Sequence, residues 1–495
     1  MNLPGELRSR PEALSLAARR SQLTHMAKAE KPLIVMKFGG TSVGNAERMQ
    51  RAAVLVAEHS KDADVVVVVS AMGGVTDMLI RAAREASHGG REVWKGVRQE
   101  LARKHREVAD QCLSASEQAV ILPRLAEHVG NFENLCSGFT LVREVTPRAM
   151  DTLSSLGEMM SSTLLASILR SRGLRAQAVD ATEVIVTDEK FGNASPLFEE
   201  TYLKARQRLA PLRRRGEVAV VTGFRGATRD GLCTTLGRGG SDYSATLVGA
   251  ALGADATWIW TDVDGVMTAD PRLVPNARIV PEISYREAIE LSFFGAKVLH
   301  PKTIQPVIKP RIPVWIRNTF NPACAGTKIG PSAANGARGV KAITSVSKAQ
   351  IITLTGRGNL TFAQLAAKAF SALCMEEVDT LMVTQSSADS VLCFAVREAD
   401  LKSVKAFLER VFELEILHDN RVSIETVAHV AIVVAIGENM KGTPGIAGRS
   451  FAALGRKGIN VIAIAQGSSE ISISFAVKSS EVKEAVQSIH DEFEL

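Results

Sequence analysis

Across residues 32–320, short runs that are almost wholly apolar alternate with longer stretches of helical periodicity, and this alternation narrows the possible folds more than any other feature of the chain. The runs at 33–37, 65–70, 218–223, 256–261 and 313–317 lack the in-and-out alternation of a sheet with one wet face. A strand without polar positions is buried on both faces, and such strands belong to parallel sheets covered by helices. The spacing therefore predicts an α/β domain of three layers around a mostly parallel sheet. Residues 88–150 read as helical, with charged runs such as REVWKGVRQELARKHREVADQ, and form an excursion from that sheet.

A stretch at 321–339, rich in Ala, Gly and Pro and without periodicity, marks the end of this domain. Beyond it lies an internal repeat. At a fixed offset of 81 residues, Gly356, Phe370, Ala372, Leu373, Gln385, Ser387, Phe394, Ala395 and Val396 align without gaps on Gly437, Phe451, Ala453, Leu454, Gln466, Ser468, Phe475, Ala476 and Val477. Each copy reads as strand, helix, two-stranded hairpin and second helix, the ferredoxin-like arrangement of a small α+β unit. The expected division is an extension at 1–31, a large domain at 32–330, and two small units at 345–425 and 426–495.

A chain of 495 residues exceeds one ordinary core, and 46% apolar with 23% charged residues is globular composition. The net charge of +6 is no footprint for a nucleic acid. Half of it lies in residues 1–31, where Arg8, Arg10, Arg19, Arg20, Lys28 and Lys31 face Glu6, Glu12 and Glu30. That segment is read as a disordered extension; its arginines and serines loosely suit an organellar transit peptide, and Met26 is an alternative start. No run approaches the ~18 apolar residues of a membrane span. The six cysteines are scattered without a C-x-x-C pair, so no metal site is expected, and reduced thiols in a cytoplasmic protein are.

Two glycine-rich segments follow strands. In the first, KFGGTSV at 37–43, Gly39 and Gly40 carry no Cβ, so backbone N–H groups can approach an anion closely, and Lys37 adds a point charge. The second, LGRGGSDYSA at 236–245, repeats that logic. Neither fits the Walker or the dinucleotide-binding pattern. A strand-end lysine before a plain glycine turn is the blander reading of the first segment, and the second segment counts against it.

Together with VVSAMGGVTD at 68–77, WTDVDGVMTADPR at 260–272 and GAKVLHP at 295–301, these segments resemble the aspartate kinases of the amino-acid kinase family, over about residues 32–495. The resemblance implies the amino-acid kinase fold followed by two ACT units, with ATP and Mg²⁺ used to phosphorylate L-aspartate to 4-phospho-L-aspartate, the first step toward lysine, threonine and methionine. By resemblance Lys37 stabilises the transferring phosphoryl group, Gly39 and Gly40 offer backbone donors, and Asp242 orients Lys37. A helix cap for a helix starting at Tyr243 is the alternative for Asp242. Arg238 would clamp the substrate α-carboxylate, with Gly239, Gly240, Ser241 and Thr76 around it. Glu158 would meet the substrate ammonium, although Ser155 and Glu158 also spell an S-x-x-E capping box. Thr261, Asp262, Met267, Arg272, Lys297 and Val298 occupy the ATP-binding positions, Met267 standing where some members have tyrosine.

The aspartate carboxylate, with a pKa near ~4, is already ionised at neutral pH, so no general base is required. Gln385 and Gln466 end the equivalent strands of the repeat, where a primary amide suits a small amino-acid effector. Their segments resemble the threonine-sensing units of bifunctional aspartate kinase–homoserine dehydrogenases more than those of lysine-inhibited relatives, and ACT units imply a homodimer or homotetramer. Two other readings are a family relative acting on glutamate, carbamate or a nucleoside monophosphate, and a catalytically dead amino-acid-binding protein. Glu158 and Arg238 together argue for an amino-acid substrate and the ACT pair for aspartate, while the presence of Lys37, Glu158, Arg238, Asp242 and Asp262 counts against a dead binding protein.

Overall fold

The computed structural model describes residues 31–295, 299–332, 339–386, 390–417 and 421–495. Lys297, Val298 and all of the N-terminal extension except Lys31 lie outside the described residues. The large domain runs β1 (Leu33–Phe38), α1 (Ala46–His59), β2 (Asp64–Val69), α2 (Val75–Ser87), α3 (Arg91–Cys112), α4 (Ala115–Val142), α5 (Pro147–Ser154), α6 (Leu156–Ser171) and β3 (Ala176–Val179). It continues through α7 (Phe198–Arg214), β4 (Val218–Thr222), β5 (Arg225–Ala227), β6 (Cys233–Thr235), α8 (Gly240–Leu252), β7 (Ala256–Thr261), β8 (Glu282–Ser284), α9 (Tyr285–Phe293), α10 (Pro301–Ile308), β9 (Val314–Asn318) and β10 (Thr327–Gly330).

Eight of these strands form one sheet in the order β3-β4-β2-β1-β7-β9-β10-β8, parallel throughout except where β10 runs against β9, while β5 and β6 pair as a separate antiparallel two-stranded sheet. Val35, Met36, Phe38, Val67, Val68 and Val220 have at most 0% exposure, as strands with helices on both faces require. One face packs on α1 to α4 and α6, through Met49, Leu79, Leu101, Phe132 and Leu164; the other packs on α7 to α10, through Leu209, Leu247, Leu291 and Ile304. The chain builds β2, β3 and β4 to one side of β1, and β7 and β9 to the other. That reversal opens a crevice beyond the carboxyl ends of β1 and β7, the usual ligand position in open α/β sheets. β10 falls inside 321–339, the stretch expected to be irregular; four residues paired on β9 and β8 are too short to show a period.

The C-terminal part comprises β11 (Ala342–Gly356), α11 (Phe362–Met375), β12 (Met382–Ser386), β13 (Ser390–Arg397), α12 (Leu401–Val411), α13 (Glu413–Leu417), β14 (Val422–Ile436), α14 (Ile446–Arg456), β15 (Ala463–Gln466), β16 (Ser472–Lys478) and α15 (Val482–Glu492). Equivalent elements of the repeat recur at the expected offset. The two units also interlock. β11 and β14 each pass through both, so that 349–356 pairs with β13 and with the start of β14, while Ala342–Val346 pairs with 432–436 as the fourth strand of the second unit. The 425/426 division therefore falls within β14. The six-stranded sheet, in the order β12-β13-β11-β14-β16-β15, is bent at register shifts between Val346 and Ile351 opposite His429, whose φ is +59°. It curls until its edge strands β12 and β15 come within 8 Å of one another.

Glu287 joins the two parts. It closes a capping box at the start of α9, accepting from Ser284 N at 2.7 Å, and its Oε2 also meets Lys341 Nζ at 3.1 Å while Oε1 accepts from Glu438 N at 2.6 Å. At 1% exposure, losing this carboxylate strands a lysine and two backbone donors. Breaking a buried pair of this kind costs about 3–5 kcal/mol. Glu287→Ala is expected to lower the thermal midpoint by roughly 5–10 °C, with Glu287→Gln losing less; a melting curve for the alanine variant that overlays the wild type would show the junction to be held by something else.

Candidate active site

Lys37 lies one residue before the end of β1, in register with Ile259 of β7, and is 8% exposed. Its Nζ stands 2.5 Å from Asp242 Oδ1. Lys37 and Asp242 come from the two glycine-rich segments, so this ion pair ties both to one point in the crevice. Asp242 is the third residue of α8, whose N-cap is Gly239, so the helix begins three residues before the expected Tyr243 and Asp242 does not cap it. Its carboxylate still sits in the first turn, where a helix favours negative charge.

The glycines are required by close approach. A Cβ on Gly40 would lie 2.9 Å from Ala71 O, and Gly73 N donates to Gly40 O at 3.0 Å, locking the β1 turn to the β2 turn. Gly239 has φ of +70°, and a Cβ there would sit 2.6 Å from the His300 side chain. A short 3₁₀ turn, Gly40–Val43, follows Gly39, and α1 starts only at Ala46 under an Asn45 cap.

Around this point opens a cavity of about 360 Å³, lined among others by Lys37, Gly40, Thr76, Glu158, Arg238 and Ser241. It also holds Gly239, Gly240 and Asp242, and thus every residue the sequence assigned to the acceptor substrate. Arg238 is exposed at the mouth and Thr76 is half-buried, while Glu158 is 3% exposed at the base. Burial pushes the Glu158 carboxyl up to about 8, against the opposing pull of backbone N–H groups of Ala71 and of Glu158 itself and of the Arg225 charge. Its Oε2 has no hydrogen-bond partner among the described residues. The capping-box alternative does not form: Ser155 makes no side-chain cap, and its hydroxyl donates instead to Asp151 O at 2.9 Å.

Of the residues expected to hold the nucleotide, Thr261, Asp262, Met267 and Arg272 are not among those that line this cavity. Gly39 N donates to Trp260 O at 3.3 Å, which sets Thr261 and Asp262 at the same sheet edge as Lys37. Met267 is half-buried in the loop after β7, bridged to Ile279, and Arg272 is exposed and forks onto Asp270 at 2.6–3.1 Å. Gln385 and Gln466 are exposed on the two edge strands β12 and β15.

Two contributors went unread in the sequence. Asp151 is 2% exposed and accepts from Gly192 N, Thr235 N and Thr235 Oγ1 at 2.7–3.0 Å, anchoring β6 just before the second glycine turn. Its partners lie 41 and 84 residues away, so no local pattern announces it. Phe224 lines the cavity and closes on Gly240, where an added Cβ would come within 2.8 Å of the ring.

Comparison with known proteins agrees with this fold. Residues 32–318 match the amino acid kinase family and residues 433–493 an ACT domain. The chain is 34% identical over 481 residues to the bifunctional aspartokinase/homoserine dehydrogenase 1, chloroplastic, of Arabidopsis thaliana, covering 95% of this chain and 52% of that protein. It spans about half the length of the bifunctional relatives it matches. Aspartokinase 3, chloroplastic, of the same plant is 34% identical over 490 residues, covering 97% of this chain and 85% of that one. The structure of E. coli aspartokinase III in complex with aspartate and ADP superposes with a TM-score of 0.80 at 29% identity, covering 93% of this chain and 99% of that one. Its complex with lysine and aspartate gives 0.75 at 28%, with the same coverage. The chain thus belongs to the amino acid kinase family, and within it to the aspartokinases.

Proposed function

We propose that the protein is an aspartate kinase, transferring the γ-phosphoryl group of ATP to the side-chain carboxylate of L-aspartate. The observation that carries this reading is the pairing within one cavity of Glu158, a buried carboxyl with an open oxygen, and Arg238 at the mouth. An ammonium and a carboxylate on one small molecule complement them. The reacting carboxylate would then lie toward Lys37, whose Nζ Asp242 holds in place.

In this reading no residue needs to remove a proton, because the nucleophile is already an anion. The task of the site is to bring two anions into line and to neutralise the charge shared between them. Lys37 supplies the fixed cation, the Gly39–Gly40 turn and the start of α8 supply backbone donors, and Thr261, Asp262, Met267, Arg272, Lys297 and Val298 hold the nucleotide. Mg²⁺ would neutralise phosphate charge when it accompanies ATP. No group of three His, Cys, Asp or Glu side chains that could hold a metal exists among the described residues, which suits an ion bound chiefly through the nucleotide's own oxygens.

The units after residue 339 are proposed as feedback sensors for an amino acid, threonine rather than lysine, with Gln385 and Gln466 as ligands. Supporting this are their equivalent places in the repeat and the approach of their edge strands to one another. We propose a homodimer or homotetramer, for which the exposed Met375, Leu414 and Leu417 of the first unit offer apolar surface. Cytoplasmic residence is part of the proposal, in keeping with six free cysteines.

Incubation with Mg-ATP, L-aspartate and hydroxylamine is expected to yield aspartyl hydroxamate; product with glutamate alone would transfer the chain to another acceptor class. Lys37→Met is expected to lower kcat by ~10²–10³ with little change in the KM for aspartate, and a fully active variant would remove Lys37 from the chemistry. Because Glu158 titrates near 8 and must be ionised to take an ammonium, the KM for aspartate is expected to fall as pH rises from 6.5 to 8.5. The sign for stability is the reverse: a carboxyl raised in the fold stabilises below its unfolded value and loses that contribution as pH rises through about 8. Glu158→Gln should therefore melt higher than wild type at pH 8.5 while failing to bind aspartate; a lower melting point would contradict the burial argument. Millimolar threonine is expected to inhibit, and inhibition by lysine with none by threonine would overturn the effector assignment.

A further inference from the structure

The loop between β7 and β8 is built into the second C-terminal unit. Ala269 and Val274, 3% and 0% exposed, lie in one apolar cluster with Ile343, Val433, Phe475 and Ile489. Two polar contacts then fix the loop's backbone and its one buried hydroxyl. Ile343 N donates to Thr268 O at 2.7 Å, and Thr268 Oγ1 lies 2.9 Å from His490 Nε2 in α15. Thr268 Oγ1 also accepts from Arg278 N at 3.0 Å, and Thr268 N donates to Arg278 O at 2.8 Å, so this residue clamps the two arms of the loop together. His490 is 1% exposed, and its Nδ1 has no hydrogen-bond partner among the described residues. Met267, one of the proposed nucleotide contacts, is the residue next to Thr268, and Arg272 lies four further on.

We propose that His490 is a positioning residue for the nucleotide: through Thr268 it fixes the loop that presents Met267 and Arg272, so the second regulatory unit acts on ATP binding. This rests on the reading of Met267 and Arg272 as nucleotide contacts. The acceptor cavity is separate from this route, because its lining residues all fall between Lys37 and Asp242, and none belongs to the loop or to α15.

The test uses the full-length protein, with ADP binding measured by calorimetry alongside steady-state kinetics. His490→Ala is expected to weaken ADP binding and raise the KM for ATP by ~10-fold, the size of one buried hydrogen bond lost, with the KM for aspartate and kcat at saturating ATP changed less than ~2-fold. His490→Gln, which keeps an amide near the ring nitrogen, is expected to recover most of the loss. Thr268→Val removes the His490 bond and also strands Arg278 N, so it should reproduce the ATP effect at least in full; His490→Gln against His490→Asn, which is too short to reach Thr268, carries the test if His490→Ala does not fold, with only the glutamine expected to keep ADP affinity. Variants that melt lower but keep wild-type ADP affinity, or that raise both KM values together, would reduce His490 to a packing role and overturn the inference. Wild-type protein that bound no ADP would instead remove the nucleotide reading on which it rests.

Discussion

Burial of β1, β2 and β4 on both faces governs the molecule. Strands with no wet face leave polar chemistry nowhere to go but their ends, and the reversal of strand order at β1 and β7 puts the ends that matter side by side. Lys37, near the end of β1, and Asp242, in the first turn of α8, meet there, each beside glycines that permit the approach. A side chain at Gly40 would push against Ala71 O and separate the two turns on which the cavity is built.

Within this frame Glu158 is an expense the fold accepts for function. A carboxyl buried with one open oxygen is destabilising when ionised, and the neighbouring backbone donors offset only part of that. An apolar residue there would favour folding. The arrangement is intelligible if a cation regularly occupies the open oxygen, and Arg238 lines the same cavity.

Much of this was legible in the sequence, and the omissions have physical causes. The doubly buried strands announced themselves within a residue or so of their observed bounds, because nothing but apolar residues fits there. β3, β5, β6, β8 and β10 were silent, being three or four residues long and set by pairing rather than by pattern. The repeat was visible, yet the sharing of β11 and β14 was not, since Ala342–Val346 pairs with residues some ninety positions away. At the site, the two glycine-rich segments marked Lys37, Gly40 and the residues around Asp242, whereas Thr76 and Glu158 were named only through the family resemblance. The helix start at Gly240 was missed because the chain reaches it through Gly239 at positive φ, which no side-chain cap signals. Asp151, joined to Gly192 and Thr235 only in three dimensions, carried no sequence signal at all.

On the proposed reading, the buried carboxyl of Glu158, raised by burial, is ionised by the arrival of an amino-acid ammonium. Calorimetric titration of L-aspartate into the protein at pH 7, repeated in buffers of different ionisation enthalpy, counts the protons released on binding. With Glu158 titrating near 8, release of nearly one proton per aspartate is expected at pH 7, vanishing above about pH 9. Tight binding of aspartate with no proton release at pH 7 would contradict it.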